Sequence, residues 1–165
     1  MDKIKHIISE DAILTALIVS ALTLAAAWGF QMAGYAPCDL CWTQRYPYMA
    51  IIGVAIIVSA LKVKDKVLPL IVITALAMWD AGVAIYHSGV EQKWWQGPQT
   101  CTGSSFDGGS TAITMDTLYN LESAVVRCDE IPWELFGLSM AAFNAMIATS
   151  LSCYCLYHLK KRLSK

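Results

Sequence analysis

The chain has 165 residues, the length of one domain, yet 56% of them are hydrophobic, above the roughly 45–50% of ordinary soluble domains. A mean hydropathy of +0.49 with a net charge of -1 points away from a soluble globular enzyme, and no nucleic acid is expected as a partner. The near-neutral total hides a strong segregation of charge along the chain.

Four apolar runs stand out: Ala12 to Phe30, Tyr46 to Leu61, Val67 to Tyr86 and Leu135 to Leu156. At about 1.5 Å per residue they reach roughly 24 to 33 Å, against a hydrocarbon core of about 30 Å, so each is long enough to span a bilayer. The expected fold is an all-α membrane protein, a single domain over 1–165 built as a four-transmembrane-helix bundle. Its helices are expected at about 12–34, 41–61, 67–87 and 135–157.

Lys3 and Lys5 precede the first run, and Ala25-Ala26-Ala27 resembles a cleavage site, so a signal peptide competes with a membrane helix here. The run is longer than the usual apolar region of about 7–15 residues, which favours a retained helix. Ala21, Ala25, Gly29 and Ala33 recur every four residues, a small-residue stripe along which another helix could approach closely.

Next comes Pro37-Cys38-Asp39-Leu40-Cys41-Trp42-Thr43-Gln44-Arg45-Tyr46-Pro47, where a polar loop enters an apolar run. A Cys-x-x-Cys pair brings two sulfurs close enough to form and break a disulfide. The start of a helix also favours thiolate there. Arg45 falls one turn after Cys41, so its guanidinium could approach that sulfur or a ligand beside it. A cation near a helix N-terminus opposes the macrodipole, so helix stability is not its purpose. Pro47 is expected near the helix beginning, where a missing N–H is tolerated.

Lys62, Lys64 and Lys66 separate the second and third runs, and Lys160, Lys161, Arg162 and Lys165 close the chain. With Lys3 and Lys5 they place both termini and the 62–66 turn in the cytoplasm by the positive-inside rule. Two Cys-containing loops, about 35–41 and 88–134, then face outward.

Asp80 sits inside the third run, where an ionisable group is costly and needs a partner; an interhelical pair with a residue such as Asn144 is favoured over a proton relay. His87 is expected at the outer mouth of that helix, level with the Cys41 to Arg45 turn and suited to proton transfer with a ligand there. Trp94 and Trp95 follow, as an aromatic belt at headgroup level. Gly103 to Ser110 is rich in glycine and serine, and Met115, Leu118, Leu121 and Val125 mark a short amphipathic helix, either on the membrane surface or facing the core.

Cys38, Cys41, Cys101 and Cys128 all lie in the outward segments, where an oxidising compartment permits disulfides. Four cysteines allow three pairings; the close pair most simply bonds to itself, leaving Cys101 with Cys128. Cys153 and Cys155 lie about 200° apart around the last helix and read as small apolar side chains.

These blocks carry a resemblance. Pro37-Cys38-x-x-Cys41-Trp42-x-Gln44-Arg45-x-Pro47, Tyr86-His87-x-Gly89-Val90-Glu91, Gly97-Pro98-x-x-Cys101 and Cys128-Asp129-Glu130-x-Pro132-Trp133-x-x-Phe136-Gly137-x-Ser139 together resemble the DsbB family of disulfide-bond formation proteins. The resemblance implies a multi-pass protein of the bacterial inner membrane with its redox loops in the periplasm. Its partner there would be a thioredoxin-like dithiol oxidase (DsbA-like), which it reoxidises, passing the electrons to a membrane quinone, ubiquinone or menaquinone. Cys101 would form the mixed disulfide with the reduced partner, and the freed Cys128 would attack Cys38. The resulting Cys38 to Cys128 bond would release Cys41 as a thiolate to donate to the quinone ring. Arg45 would hold a quinone oxygen, with Gln44 and His87 as further pocket candidates. No metal is implied.

A structural disulfide lies below about −300 mV and a DsbA-type oxidase near about −120 mV, so the exchange runs uphill by roughly 8 kcal/mol unless an acceptor draws it forward or the disulfides are strained. Three other classes fit less well. A scaffold with purely structural disulfides leaves Arg45 and the helix-start Cys-x-x-Cys without a role. A four-cysteine zinc site is disfavoured by an oxidising compartment. A quinone-reducing enzyme of the vitamin K epoxide reductase type would carry its close pair later in the chain.

Overall fold

The structure, a computed structural model, describes residues 2–98 and 126–164, with side chains from Ala12 onward. Among them are four helices, α1 (Asp2–Met32), α2 (Asp39–Ala60), α3 (Val67–Glu91) and α4 (Met140–Leu163), and a minimal hairpin of β1 (Glu134–Leu135) and β2 (Leu138–Ser139). Cys101, the glycine-rich stretch and the expected amphipathic helix lie outside the described residues.

The helices pack in a ring: α3 most extensively against α4, α2 against α3, and α1 against α2 and α4, while α1 and α3 meet less. The buried faces follow helical spacing. On α3 they are Leu70, Ile73, Ala77, Asp80, Ala84 and His87; on α2, Gln44, Tyr48, Ile51, Ala55 and Val58. One apolar core joins Ala12, Ala16, Ile51, Ala55, Leu70, Ile73, Leu151 and Cys155. Outward-facing Leu22, Leu68, Trp79 and Ile57 are exposed in the isolated chain, as a lipid-facing surface requires. Three segments are long and apolar enough to cross a membrane: Ala12–Met32, Val67–Glu91 and Met140–Leu163. The chain is therefore read as a membrane protein. α2 is similar in length, but its first two turns hold Asp39, Gln44 and Arg45.

Boundaries differ from expectation in ways the sequence explains. α1 begins ten residues earlier than 12, and α3 runs one turn past 87 to Glu91. The turn that closes α3 has Lys93 at φ 60, with Trp94 N–H donating to Gly89 O at 2.9 Å. Trp95 folds back over this turn, stacking on Tyr86 at 6.0 Å and donating from Nε1 to Tyr86 O at 2.8 Å. A Cβ on Gly89 would stand 2.0 Å from the Trp95 ring, so glycine is required there.

α4 starts at Met140, not 135. Phe136 (φ 54) and Gly137 (φ 76) form the two-residue turn that pairs Glu134 with Ser139 and Leu135 with Leu138. The Ser139 hydroxyl then caps α4, accepting from Ala142 N at 3.1 Å. Pro47 is not in the first turn of α2 but two turns inside it, because the helix already begins at Asp39.

The small-residue stripe on α1 does not face the bundle. Ala21, Ala25 and Ala33 are exposed and Gly29 half-buried, with nothing within 4 Å of a Cβ built on Gly29. The packing face is the neighbouring row Ala12, Ala16, Ser20 and Leu24, all buried. At the opposite end from the Cys-x-x-Cys, Arg162 pairs with Asp65 at 3.1 Å, bringing the basic C-terminal turn of α4 to the basic 62–66 turn.

Candidate functional site

The site is built where α2 begins. Cys38 is the N-cap residue, extended at φ −79 and ψ 175, and its sulfur accepts from Cys41 N–H at 3.3 Å. The capping geometry turns both side chains to one side, and their sulfurs stand 3.1 Å apart as free thiols. A disulfide of about 2.05 Å needs only a small closure of this pair. Cys38 donates its S–H to the Cys41 sulfur. That hydrogen bond, and then burial, push the Cys38 thiol well above the ordinary range. When the pair loses a proton, the charge therefore rests on Cys41, in the first turn of α2.

α3 supplies the next layer. His87 is buried, one turn inside the helix end, with Nε2 3.6 Å from the Cys38 sulfur and 3.9 Å from a Glu91 carboxylate oxygen. Its Nδ1 meets Gln44 Nε2 at 2.7 Å. Glu91 also accepts from the Ser139 hydroxyl, so the residue that caps α4 also binds the end of α3.

Arg45 is buried and reaches not to Cys41 but to α1, donating to Gln31 Oε1 at 2.7 Å and Ala27 O at 3.2 Å. Its guanidinium lies over the Trp42 ring at 4.7 Å. Asp80 and Asn144 pair as expected, Asn144 Nδ2 lying 3.4 Å from Asp80 Oδ2. The same Nδ2 donates to Gln44 Oε1 at 2.7 Å, while Tyr48 donates to Asn144 Oδ1 at 2.7 Å.

Cys128 is fully buried, in one cluster with Cys38, Leu40 and Val90, against which Cys41 also packs. It is disulfide-bonded, whereas Cys38, Cys41, Cys153 and Cys155 are free. The loop carrying it is tied down by Trp133, whose ring packs on Phe30 of α1 at 5.0 Å and Phe143 of α4 at 6.2 Å. Beside it, exposed Arg127 binds Asp129 at 2.8 Å; that contact raises the arginine pKa and lowers the aspartate's.

Residues 9–158 match the family model described as "Disulfide bond formation protein DsbB". The chain belongs to the DsbB family. It is 28% identical over 131 residues to a "Probable disulfide formation protein" of Deinococcus radiodurans, covering 78% of this chain and 69% of that one. A Rickettsia prowazekii relative, "Uncharacterized protein RP370", is 24% identical over 136 residues, covering 81% of this chain and 78% of its own. No solved structure gives a significant match. Membership in the DsbB family makes this chain a disulfide oxidoreductase with a role in disulfide bond formation.

Among the residues the DsbB resemblance singles out, the fold brings together Cys38, Cys41, Gln44, Arg45, His87 and Cys128; Cys101 lies outside the described residues. A cavity of about 370 Å³ opens between α1, α2 and α4, within the usual range of about 300–1,000 Å³ for ligand sites. Leu24, Phe30, Trp133, Met140, Phe143 and Ile147 give it apolar walls; Cys41, Gln44, Arg45 and His87 form a polar end. Apolar walls with N–H-bearing side chains beside the Cys38 and Cys41 sulfurs fit a quinone head group. The sulfur and nitrogen atoms of Cys38, Cys41 and His87 lie within 4.8 Å of one another. Two thiolates at about 2.3 Å in tetrahedral geometry would stand nearly 4 Å apart, however, so the 3.1 Å pair is shaped for a disulfide.

Sequence reasoning missed Gln31, Tyr48 and Ser139 as parts of this site. Each acts across helices, and only Ser139, in a Phe-Gly-x-Ser segment before an apolar run, carries a local signal as a cap.

Proposed function

We propose that this protein reoxidises a periplasmic thioredoxin-like (DsbA-like) dithiol oxidase and delivers the electrons to a membrane quinone, from four spans with both termini cytoplasmic. The observation that carries this reading is the packing of Cys128 in one buried cluster with Cys38, beside Cys41 and the apolar cavity.

The exchanges balance as follows. A partner thiolate attacks the Cys101 sulfur of a Cys101 to Cys128 disulfide, forming a mixed disulfide and releasing Cys128 as thiolate. Cys128 attacks the Cys38 sulfur of an oxidised Cys38 to Cys41 pair, forming a Cys38 to Cys128 bond and releasing Cys41. The partner's second thiol displaces Cys101, which leaves with the electron pair of the mixed disulfide and attacks Cys128, re-forming the Cys101 to Cys128 bond and releasing Cys38, so that Cys38 and Cys41 are the reduced pair. A bound quinone would accept two electrons and two protons, the number two thiols give up on forming one disulfide. Arg45 offers N–H groups at the polar end of the cavity, which Gln44, His87 and the Cys38 and Cys41 sulfurs also line; Cys41 is the sulfur released first as thiolate.

Cys41→Ser tests the path. The variant is expected to trap the partner on Cys101 as a mixed disulfide yet to show no sustained quinone-dependent turnover. Turnover by that variant would refute the electron path. A membrane scaffold with inert disulfides, the alternative, would trap no partner in either protein.

A further inference from the structure

Asp80 has no place in the exchanges just described, yet it is fully buried in α3 and its Oδ1 has no hydrogen-bond partner among the described residues. Its other oxygen faces Asn144 Nδ2 on α4 at 3.4 Å. A carboxylate offers only lone pairs, so the amide edge turned toward it must be the NH₂ group. That choice leaves Asn144 Oδ1 for the Tyr48 hydroxyl, 2.7 Å away.

The consequence passes to α2. The Asn144 NH₂ also donates at 2.7 Å to Gln44, which must therefore present its carbonyl. The Gln44 NH₂ is then the group 2.7 Å from His87 Nδ1. An N–H donor facing Nδ1 makes that nitrogen an acceptor, so in the neutral ring the proton sits on Nε2. Nε2 looks at two acceptors, the Cys38 sulfur at 3.6 Å and Glu91 at 3.9 Å. The opposite tautomer would set a lone pair against both.

We propose that Asp80 is a positioning residue that acts through Asn144 and Gln44 to hold the His87 proton on Nε2, aimed at the Cys38 sulfur. The inference rests on the role proposed above for Cys38. Exchange at that atom spreads negative charge over the sulfurs sharing the reacting bond, and a fixed N–H beside one of them lowers the barrier.

The test reads the tautomer directly. Histidine-selective ¹⁵N labelling of the reduced protein in detergent, without partner or quinone, gives a pair of ring-nitrogen signals from each of three imidazoles, with His87→Gln assigning the pair of interest. The expected spectrum shows His87 protonated at Nε2 and bare at Nδ1. Asp80→Asn, nearly isosteric, is expected to move His87 to a mixture of tautomers and to lower kcat for partner oxidation about tenfold with an unchanged KM for partner. Gln44→Glu sets a carboxylate against Nδ1 and is expected to reverse the tautomer with the chain of contacts still in place. Asp80→Glu is expected to restore much of the wild-type signal. A wild-type ring protonated at Nδ1, or an Nε2 proton that persists undiminished in Asp80→Asn, would overturn the proposal. Since the spectrum needs no turnover, the expected tautomer in a protein that oxidises no partner would count against the proposed function and leave the positioning role standing.

Discussion

His87 Nε2 stands 3.6 Å from the Cys38 sulfur, joining the end of α3 to the start of α2. Glu91, one turn later on α3, lies 3.9 Å from the same nitrogen. An imidazole held between a thiol and a carboxylate can steady charge on the sulfur without leaving its place.

Replacing His87 by Phe keeps the volume and removes the donor. A hydrogen bond to a charged group is worth about 1.5–3 kcal/mol, so the rate of exchange at Cys38 should fall roughly ten- to a hundredfold. Stopped-flow mixing with reduced partner measures it; an unchanged rate would remove His87 from the chemistry.

The unequal thiols predict an unequal response to pH. Cys38 is held protonated by its hydrogen bond to Cys41 and by burial, so its thiolate fraction stays small through the range where an ordinary thiol ionises. In the reduced protein, iodoacetamide should modify Cys41 first as pH rises, with Cys38 following only at higher pH. Cys41→Ala removes the larger cause and should shift Cys38 alkylation to lower pH. The pH profile of each site, read by mass spectrometry, checks both statements.

Ser139 is expected to matter more than a surface serine. Ser139→Ala loses the cap of α4, about 1 kcal/mol, and the donor to buried Glu91, about 1–3 kcal/mol more. Thermal unfolding in detergent should show a lowered midpoint, and Ser139→Thr should recover most of it.

Gly89→Ala sets a methyl group 2.0 Å from the Trp95 ring, so the indole must leave its place on Tyr86. The expected cost is about 1–3 kcal/mol, with a red-shifted tryptophan emission as the ring turns outward. An unchanged spectrum would mean that the end of α3 is less tightly closed than it looks.

Much of this arrangement could be read in the chain. The apolar runs located the four helices found among the described residues, because a long apolar run declares itself by length and hydropathy. The need of Asp80 for a partner identified Asn144 in advance. Other features depend on rotation and distance, which spacing does not encode. On α1, two adjacent rows of small residues have the same period, and only packing chooses Ala12, Ala16 and Ser20 over Ala21 and Ala25. The bond from Gln44 to His87 joins residues 43 positions apart, and the reach of Arg45 to Gln31 crosses a loop. Phe136 and Gly137 sit at the head of an apolar run, so composition alone extends the helix through them.

The most direct measurement is anaerobic addition of a reduced thioredoxin-like dithiol oxidase to purified, quinone-loaded protein, following quinone absorbance. One equivalent of oxidised quinone should disappear for each partner dithiol oxidised, at a rate that Cys41→Ser abolishes. Partner oxidation with the quinone band untouched, or no partner oxidation at all, would contradict the proposed relay.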